Sequence, residues 1–444
     1  MNAEVTPIRT AAETALAQRF AQARESLPGD DAVAAQRDAA FDVFSKEGLP
    51  HRRVEEWKYT DLRALMRDAK PLAAPPDATA KAVAKTAGAR VGDVEARRLV
   101  FVDGAFLEEL SDISGLENGL TVRSLADALA DADPALTNHL GKLAPGSDVA
   151  VALNTAFMGD GAVIRIAAGA TVERPLHLLF VNSGKPAATF VRSLIVVDAG
   201  ARAMLIESHE GPAGADYQVN AAVELFVGDA AHVDHVKIVG ESADALHVST
   251  LAAAIGARAR FNAFTFTAGG AIVRNQLFLN FDGEGTVAAV RGATLINGRQ
   301  HADTTLVANH IARDCQSREV FKSVLDDEAH GVFQGRIIVR PHAQKTDAKM
   351  MTQSLLLSER AEADNKPELE IFADDVQCGH GATAGALDDE LKFYLMARGI
   401  PPAEAEALLI QAFLGEAIEG IEHAGLREAL TDQVAAWLKA RGGR

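Results

Sequence analysis

The feature that most constrains the fold is a glycine-led turn phrase that recurs through the middle of the chain. It starts at five positions, 27 to 31 residues apart: Gly169, Gly200, Gly228, Gly256 and Gly283. A stretch typical of a strand follows each of the first four turns: Leu176–Val181, Met204–Glu207, His232–Val239 and Arg260–Thr267. A period of this length holds two strands and their turns, which is one coil of a β-solenoid.

A β-sandwich is the alternative, because short strands separated by turns also build that fold. Its turn signals recur about every 8–12 residues, whereas the phrase here recurs at more than twice that interval. We therefore favour a mainly β chain with a β-helix core, and expect residues from about 148 to 375 to form one continuous solenoid without a long helix. Its last coil carries an edge that must be paired or covered, and we expect the strands near 367–378 to join a partner subunit edge to edge.

Helical patterns precede the core. Residues 11–48 are rich in Ala, Gln, Arg and Glu, and Pro28-Gly29-Asp30 divides them into two predicted helices. The second is predicted over Ala32–Lys46, with Gly48 as its C-terminal cap. Residues 69–86 contain three prolines and are typical of a linker or a loosely packed segment.

Helical patterns also follow the core. Asp388 starts a predicted helix that Gly399 ends, and Pro401-Pro402 starts the next. A last helix is expected from about Leu426 to Arg441. The middle helix has an apolar stripe, which either packs on the solenoid or forms a docking surface: Ile410, Phe413, Leu414, Ala417, Ile418 and Ile421. The predicted domains are an N-terminal helical region with linker (1–97), a β-helix core (98–386) and a C-terminal helical domain (387–444).

Charge and cysteine content exclude several classes of partner. The chain has 61 acidic and 44 basic residues, a formal charge of −17, which argues against nucleic acid or an anionic membrane as the main partner. Two cysteines in 444 residues do not form a disulfide framework. No apolar run approaches ~18 residues, so no membrane-spanning helix is expected. Residues 1–20 show no secretory leader, and we expect a cytoplasmic protein.

Several catalytic motifs are absent. The chain has no phosphate-binding loop, so it should not bind ATP directly, and it has neither Gly-x-Ser-x-Gly nor His-Glu-x-x-His. His232 and His235 have the spacing of a metal pair on a helix, but in a strand this offset points the side chains to opposite faces. His209, His247, His330 and His342 have no partner at ligand spacing, and structural or solvent-facing roles are expected for them.

Cys378 and His380 form the clearest candidate site. An apolar strand-like run leads into them, and glycines flank the histidine on both sides. In an extended backbone, residues two apart share a face, so a thiolate and an imidazole would lie side by side, a pairing that soft-metal and iron–sulfur chemistry uses. A buried structural thiol beside a turn histidine is the alternative. Cys315 is the other cysteine, so the chain cannot supply a four-thiolate cluster site by itself.

The segment from Glu55 to Leu62 mixes aromatic and charged residues around Trp57. Such a pattern is typical either of a binding surface or of an aromatic anchor that attaches the N-terminal helices to the main body. The sequence leaves both interpretations open.

Longer motifs resemble the SufB/SufD family of the Suf iron–sulfur cluster assembly system, and its SufD branch in particular. The resemblance is dense over about 313–400 and localised at 52–62. It is carried by these runs: Cys315-Gln316-Ser317-Arg318-Glu319, Gly331-Val332-Phe333-Gln334-Gly335, His342-Ala343-Gln344-Lys345-Thr346-Asp347, Lys366-Pro367-Glu368-Leu369-Glu370-Ile371, Cys378-Gly379-His380-Gly381-Ala382-Thr383 and Glu55-Glu56-Trp57-Lys58-Tyr59-Thr60-Asp61-Leu62.

The resemblance implies a right-handed parallel β-helix with helical segments at both ends. It implies a complex of one SufB, one SufD and two copies of the ATPase SufC, in which SufD is a scaffold rather than an enzyme. His380 is implicated together with a SufB cysteine at the subunit interface, where iron or a transient cluster would be shared, with Cys378 beside it. The family also favours the C-terminal stripe, with Ile410, Phe413, Leu414, Ile418 and Ile421, as the SufC-binding surface.

Two other functions compete with this scaffold. One is a purely structural adaptor for the ATPase, in which His380 is dispensable. The other is a β-helix carbohydrate-active enzyme, against which the missing secretory leader argues. Flavin binding, the iron donor and self-association of the isolated chain into a homodimer are left open by the sequence.

Overall fold

The core of the molecule is a two-sheet β-solenoid. A computed structural model describes residues 9–133, 136 and 138–442. Sheet A contains, in spatial order, β3 (Leu120–Ser124), β4 (Ala162–Ile166), β6 (Ala188–Val197), β8 (Gln218–Val227), β10 (Leu246–Ile255), β12 (Ile272–Phe281), β14 (His301–His310), β16 (His330–Val339) and β18 (Glu362–Ile371). Sheet B contains β2 (Ala105–Phe106), β1 (Arg97–Val102), β5 (Leu176–Val181), β7 (Arg202–Glu210), β9 (His232–Gly240), β11 (Arg260–Thr267), β13 (Val287–Ile296), β15 (Gln316–Leu325), β17 (Asp347–Leu356) and β19 (Gln377–Gly385).

From β4 onward the chain alternates between the two sheets, so each coil contributes one strand to each. All neighbours within a sheet are parallel except β1 with β2 and β3 with β4. Inward-facing side chains of the two sheets interdigitate in one long apolar core, which includes Leu178, Leu205, Val233 and Phe261. The predicted β-helix core is therefore confirmed, with about eight coils.

The recurring turn phrase has two physical causes. Gly169 and Gly200 have φ near +70°, the left-handed region that glycine adopts without strain. Gly228, Gly256 and Gly283 serve a different purpose, because their turns stack on the turn of the preceding coil. A Cβ added at Gly283 would lie 1.9 Å from the backbone nitrogen of Ala257. Glycine thus recurs at coil spacing because coils stack closely at this corner.

Helices cover the outer faces of both sheets. They are α1 (Ala11–Ala23), α2 (Asp31–Glu47), α3 (Leu62–Leu65), α4 (Ala78–Ala84), α5 (Leu125–Ala130), α6 (Val149–Phe157), α7 (Asp389–Met396), α8 (Pro402–Ile418) and α9 (Ala424–Gly442). The α1, α2 and α6 side chains pack with residues of sheet A such as Phe190 and Val248. The α8 and α9 side chains pack on sheet B. Among the described helices, none combines the length and apolar character needed to cross a bilayer.

Two expectations from the sequence are wrong in detail. Residues 149–157, expected in a helix-free region, form the fully buried helix α6. Asp148 caps it through the backbone N–H groups of Ala150 and Val151, at 2.9 and 3.1 Å, and this cap favours a helix over the strand that the apolar run suggests. Residues 69–86, expected as a linker or a loosely packed segment, contain α4, which buries Ala80 and Ala84 against sheet B. The division into three domains stays a prediction.

Candidate functional site

The C-terminal end of the solenoid is open. β18 and β19 are the last strands of sheets A and B, and each pairs along one side only, with β16 and with β17 respectively, among the residues described. Their other edges present backbone N–H and C=O groups to solvent. Phe372, directly after β18, is 58% exposed, which is unusual for phenylalanine. A parallel strand added to either sheet would continue the solenoid.

Cys378 and His380 lie on the inward-facing side of β19 at this open end. The strand register stacks Cys378 on Ala348 and His380 on Met350, and both of those residues are buried in the solenoid core. Cys378 is half-buried and His380 is exposed, because no further coil lies above them in the described chain. The expectation from spacing that the two side chains share a face therefore agrees with the register. Their role in cluster assembly is not tested by the geometry alone.

A buried carboxyl group lies in the same inward-facing column as His380. Glu319 on β15 pairs laterally with Met350, which pairs with His380. Neither carboxylate oxygen of Glu319 has a hydrogen-bond partner within distance and angle limits among the described residues. Burial raises the pKa of Glu319 to about 7. Burial also raises the pKa of the Cys378 thiol, and the carboxyl groups of Asp347 and Glu319 add to this effect, so a bound cation is needed to favour the thiolate.

Comparison with known proteins decides the family. The family model "SUF system FeS cluster assembly, SufBD core domain" matches residues 180–413, and "SufBD protein N-terminal region" matches residues 10–178. The chain belongs to the SufB/SufD family. It is 33% identical over 438 residues to an iron–sulfur cluster assembly SufBD family protein of Synechocystis sp., covering 93% of both chains. It is 30% identical over 396 residues to iron–sulfur cluster assembly protein SufD of Escherichia coli, covering 88% of this chain and 89% of the other.

The Trp57 segment of this SufB/SufD chain acts as an anchor. Trp57 is buried, its indole N–H donates to Asp148 Oδ2 at 3.0 Å, and the guanidinium of Arg274 lies 3.9 Å from the ring centroid. Glu55 forms an ion pair with Lys366 on the last strand of sheet A. The segment thus ties the N-terminal helices to sheet A. A groove of about 700 Å³ lies beside the segment. The solvent-facing side of the segment is therefore still available as a binding surface.

The predicted SufC-binding stripe is buried within the chain. Ile410, Leu414, Ile418 and Ile421 pack with sheet B and α9, and Phe413 is packed at the edge of the same cluster. This arrangement is the packing alternative that the sequence left open. A binding role for these five residues stays a prediction, but in this conformation it could operate only through the position of α8. Removing residues 401–444 would also uncover the apolar outer face of sheet B, so the solenoid is not expected to stay folded without them.

Helix α7 carries the accessible apolar surface of the C-terminal segment. Phe393 is 71% exposed and Tyr394 is 53% exposed, and Leu391 and Met396 are exposed beside them. None of the α7 residues is buried. Four exposed apolar side chains on one short helix are typical of a protein-binding surface.

A polar cluster inside the solenoid was missed by sequence reasoning. Glu207 and Lys237 are lateral neighbours on β7 and β9, with Lys237 Nζ 3.6 Å from Glu207 Oε1. The ring N–H of His209 donates to the same carboxylate at 2.6 Å, and His235 Nε2 lies 3.3 Å from it. The Lys237 ammonium group also donates to His247 Nε2 at 3.1 Å. These side chains point inward and are buried, so His209 and His247 do not face solvent. Together with Glu241 they place three ligand-type atoms within 4.8 Å of one another, a grouping that the sequence did not show.

The charges of this interior cluster balance. Burial opposes ionisation of Glu207, but the Lys237 charge and hydrogen bonds from His209 and His235 hold its pKa well below the ordinary value. Burial raises the pKa of Glu241 to about 7 and lowers that of His209 to about 4. Glu207 and Lys237 are therefore the ion pair of the cluster, and burial favours the neutral forms of Glu241 and His209.

The strand geometry sets the directions of the His232 and His235 side chains, and Cys315 lies in the core. His235 points inward to Glu207, whereas His232 points outward with Val236 and Ile238, which pack beneath α8. The expectation that His232 and His235 occupy opposite faces is therefore confirmed. Cys315 is fully buried, and its Sγ lies 3.3 Å from the carbonyl oxygen of Gly283, an arrangement that favours a packing role.

Proposed function

We propose that this chain is a non-catalytic scaffold subunit that helps SufB assemble iron–sulfur clusters, in the manner of the SufD branch. The observation that carries the proposal is the placement of Cys378 and His380 on the inward-facing side of an unpaired end coil. A ligand pair placed there is open to a partner that docks on the end of the solenoid. Iron and the nascent cluster are the cargo of this site, shared with SufB, rather than resident cofactors of this chain.

Strand addition explains how SufB would dock. The exposed edges of β18 and β19 offer two backbone ladders, and a partner with the same solenoid architecture can extend both. The outward side chains of β18 are mostly charged, and the inward ones include Pro367 and Leu369, so a partner coil would bury the apolar side and leave the charges in solvent. A second copy of this chain could dock in the same way when SufB is missing.

His380 would act as an iron ligand at that interface. A neutral imidazole binds iron through nitrogen, and a thiolate from SufB would complete the donor set, because Cys378 is the single described thiol on this face. Cys378 would assist, since its thiol must lose a proton before it binds. ATP hydrolysis would come from SufC, and cytoplasmic location follows from the same assignment.

We place the contact with SufC on α7 rather than on the buried stripe of α8. Leu391, Phe393 and Tyr394 are available to a partner without any rearrangement of the C-terminal helices. Movement of SufC during ATP hydrolysis would then act on α7, which packs on α8, and α8 packs on sheet B.

The experiment that tests the scaffold role is His380→Ala in the chain co-expressed with SufB and SufC. We expect an intact complex whose iron and acid-labile sulfide content falls at least ~10-fold. His342→Ala, which removes another exposed histidine, is the matched control and should keep both. Wild-type iron and sulfide in the His380→Ala complex would refute the ligand role and favour the purely structural adaptor.

A further inference from the structure

A second group of ligand-type side chains lies where the C-terminal helices meet the solenoid. His232 and Asp234 occupy the outward-facing side of β9, two residues apart. Glu422 reaches the same place from the loop between α8 and α9. Nε2 of His232 lies 3.7 Å from Oδ2 of Asp234 and 4.0 Å from Oε1 of Glu422, and the three candidate donor atoms all lie within 4.8 Å of one another.

These are ion-pair distances, longer than ordinary hydrogen bonds, and they are also close to the spacing of ligands that share one ion. Hydrogen bonds to oxygen end near ~3.2 Å. A tetrahedral metal with bonds of about 2.0–2.2 Å holds its donor atoms about 3.4 Å apart. His232 Nε2 is buried and has no hydrogen-bond partner within distance and angle limits among the residues described. Shortening the His232–Asp234 distance by about 0.3 Å and the His232–Glu422 distance by about 0.6 Å would bring these two pairs to coordination spacing.

The surroundings hold each donor in position. Asn262 on β11 donates to Oδ1 of Asp234 at 2.7 Å, which leaves Oδ2 facing His232. The guanidinium of Arg291 lies 3.4 Å from the carbonyl oxygen of Gly420, in the loop that carries Glu422. Arg427 donates to the carbonyl oxygen of Glu422 at 3.0 Å. Such outer partners orient ligands in known metal sites.

Charge and space also fit a single divalent ion. Asp234 and Glu422 supply two negative charges to the site, and Arg291 lines the same cavity. A cavity of about 10 Å³ adjoins Asp234 and Glu422, roughly the volume that holds one water-sized ligand. The nitrogen–oxygen–oxygen donor set suits first-row transition ions such as Zn²⁺ better than Ca²⁺ or Mg²⁺, which prefer oxygen donors alone.

We propose that His232, Asp234 and Glu422 form a divalent transition-metal site that fastens the loop between α8 and α9 to the solenoid. The ion binds one nitrogen and two oxygens of the protein and keeps a position for water. This site is distinct from Cys378 and His380, which lie on the opposite face of the same sheet and five strands away, or about 24 Å.

The test uses the full chain carrying Cys378→Ala and His380→Ala, so that the end site cannot contribute. Calorimetric titration of the metal-free protein with Zn²⁺ should show one saturable equivalent. His232→Ala and Glu422→Gln should each weaken binding more than ~10-fold, the smallest loss expected even for outer partners of a metal. His342→Ala should bind like its parent.

Hydrogen exchange supplies a second readout. Zn²⁺ should slow exchange of amides in residues 419–426 of the parent and leave the Glu422→Gln protein unchanged. Because Glu422 is exposed, this variant should fold even if His232→Ala does not. A lack of saturable binding, or binding that survives Glu422→Gln at full affinity, would overturn the proposal without bearing on His380.

Discussion

Two groups of inward-facing histidines in the same solenoid have opposite surroundings. His209 and His235, in the middle coils, are buried and hydrogen-bonded or close to Glu207, whose charge Lys237 balances. His380, in the last coil, has the same inward orientation but is exposed. The inner surface of a solenoid is therefore not a single environment. A polar residue becomes structural where coils stack on both sides of it and accessible where the stacking ends.

The difference shows where function can be located in a repeating fold. In the middle coils every inward polar group must be satisfied by its neighbours, because unpaired burial costs several kcal/mol per charge. At the end coil the same positions escape that cost until a partner covers them. A partner that docked there, as we propose, would bury His380 and Cys378.

The largest expected effect comes from breaking the interior pair. Lys237→Met should destabilise the chain by about 3–5 kcal/mol, because Glu207 would remain buried without its counter-charge. Urea unfolding followed by circular dichroism measures the change. The double variant Glu207→Gln with Lys237→Met should recover a large part of the loss, since no unpaired charge is left. Equal stability of the Lys237→Met protein and its parent would mean that the interior is hydrated and unlike the buried cluster described.

An intermediate effect is expected at Glu319, beneath the open end. Its folded-state pKa of about 7 lies above the ordinary value near 4.5, so the folded chain binds this proton more tightly than the unfolded chain. The stability that this proton contributes is present below pH ~4.5 and is lost as the pH rises to about 7. The glutamine of Glu319→Gln does not ionise, so the variant keeps its stability as the pH rises through this range. The free energy of unfolding of the variant minus that of the parent should rise over this window by up to on the order of 3 kcal/mol.

The difference between the two proteins is the quantity to measure, because buried histidines act in the opposite direction. Burial lowers the pKa of His301 and of His310 to about 4, so their contribution to stability grows as the pH rises from about 4 to 6.5. That contribution is present in both proteins and cancels in the difference. A flat difference between pH 4.5 and 8 would show that Glu319 is ionised or solvated, and that the open end extends deeper than Met350.

The sequence predicted the coils and the end site because both depend on local rules. Coil stacking requires glycine at Gly256 and Gly283, and this requirement repeats at a fixed interval that can be read directly. The shared face of Cys378 and His380 follows from the two-residue period of a strand. The expected partners and the expected handedness come from the family resemblance alone, because no spacing contains them.

The interior cluster and the fate of the apolar stripe depend on register between distant strands. Glu207 meets Lys237 because β7 and β9 pair with an offset of 30 residues. The turn phrase, by contrast, recurs after 28 residues, at Gly200 and Gly228. A two-residue difference of this kind decides which side chains become neighbours. Likewise, the pattern of α8 shows an apolar side but not whether sheet B or a partner covers it. The exposed apolar side chains of α7 form a separate surface, and this is the surface that we propose for a partner.

The smallest expected effect is at Gly379, on the outward-facing side of the last strand. A Cβ added there meets no atom within 4 Å of the described chain, and its φ is not among the positive values. Gly379→Ser should therefore change the free energy of unfolding by no more than ~0.5 kcal/mol. Gly381→Ser is the matched control, because a Cβ at Gly381 would lie 2.8 Å from Cε of Met351, and a modest loss of stability is expected there.

The same Gly379→Ser protein also tests which side of the end coil a partner occupies. If SufB extends the two sheets by strand addition, the outward side of β19 stays in solvent, and Gly379→Ser should leave the affinity for SufB unchanged in a pull-down titration. If SufB instead packs face-on against the outer surface of β19, an added side chain at this position would weaken binding. A loss of SufB affinity without a loss of stability would thus exclude edge-to-edge docking, while leaving the inward placement of His380 as it is.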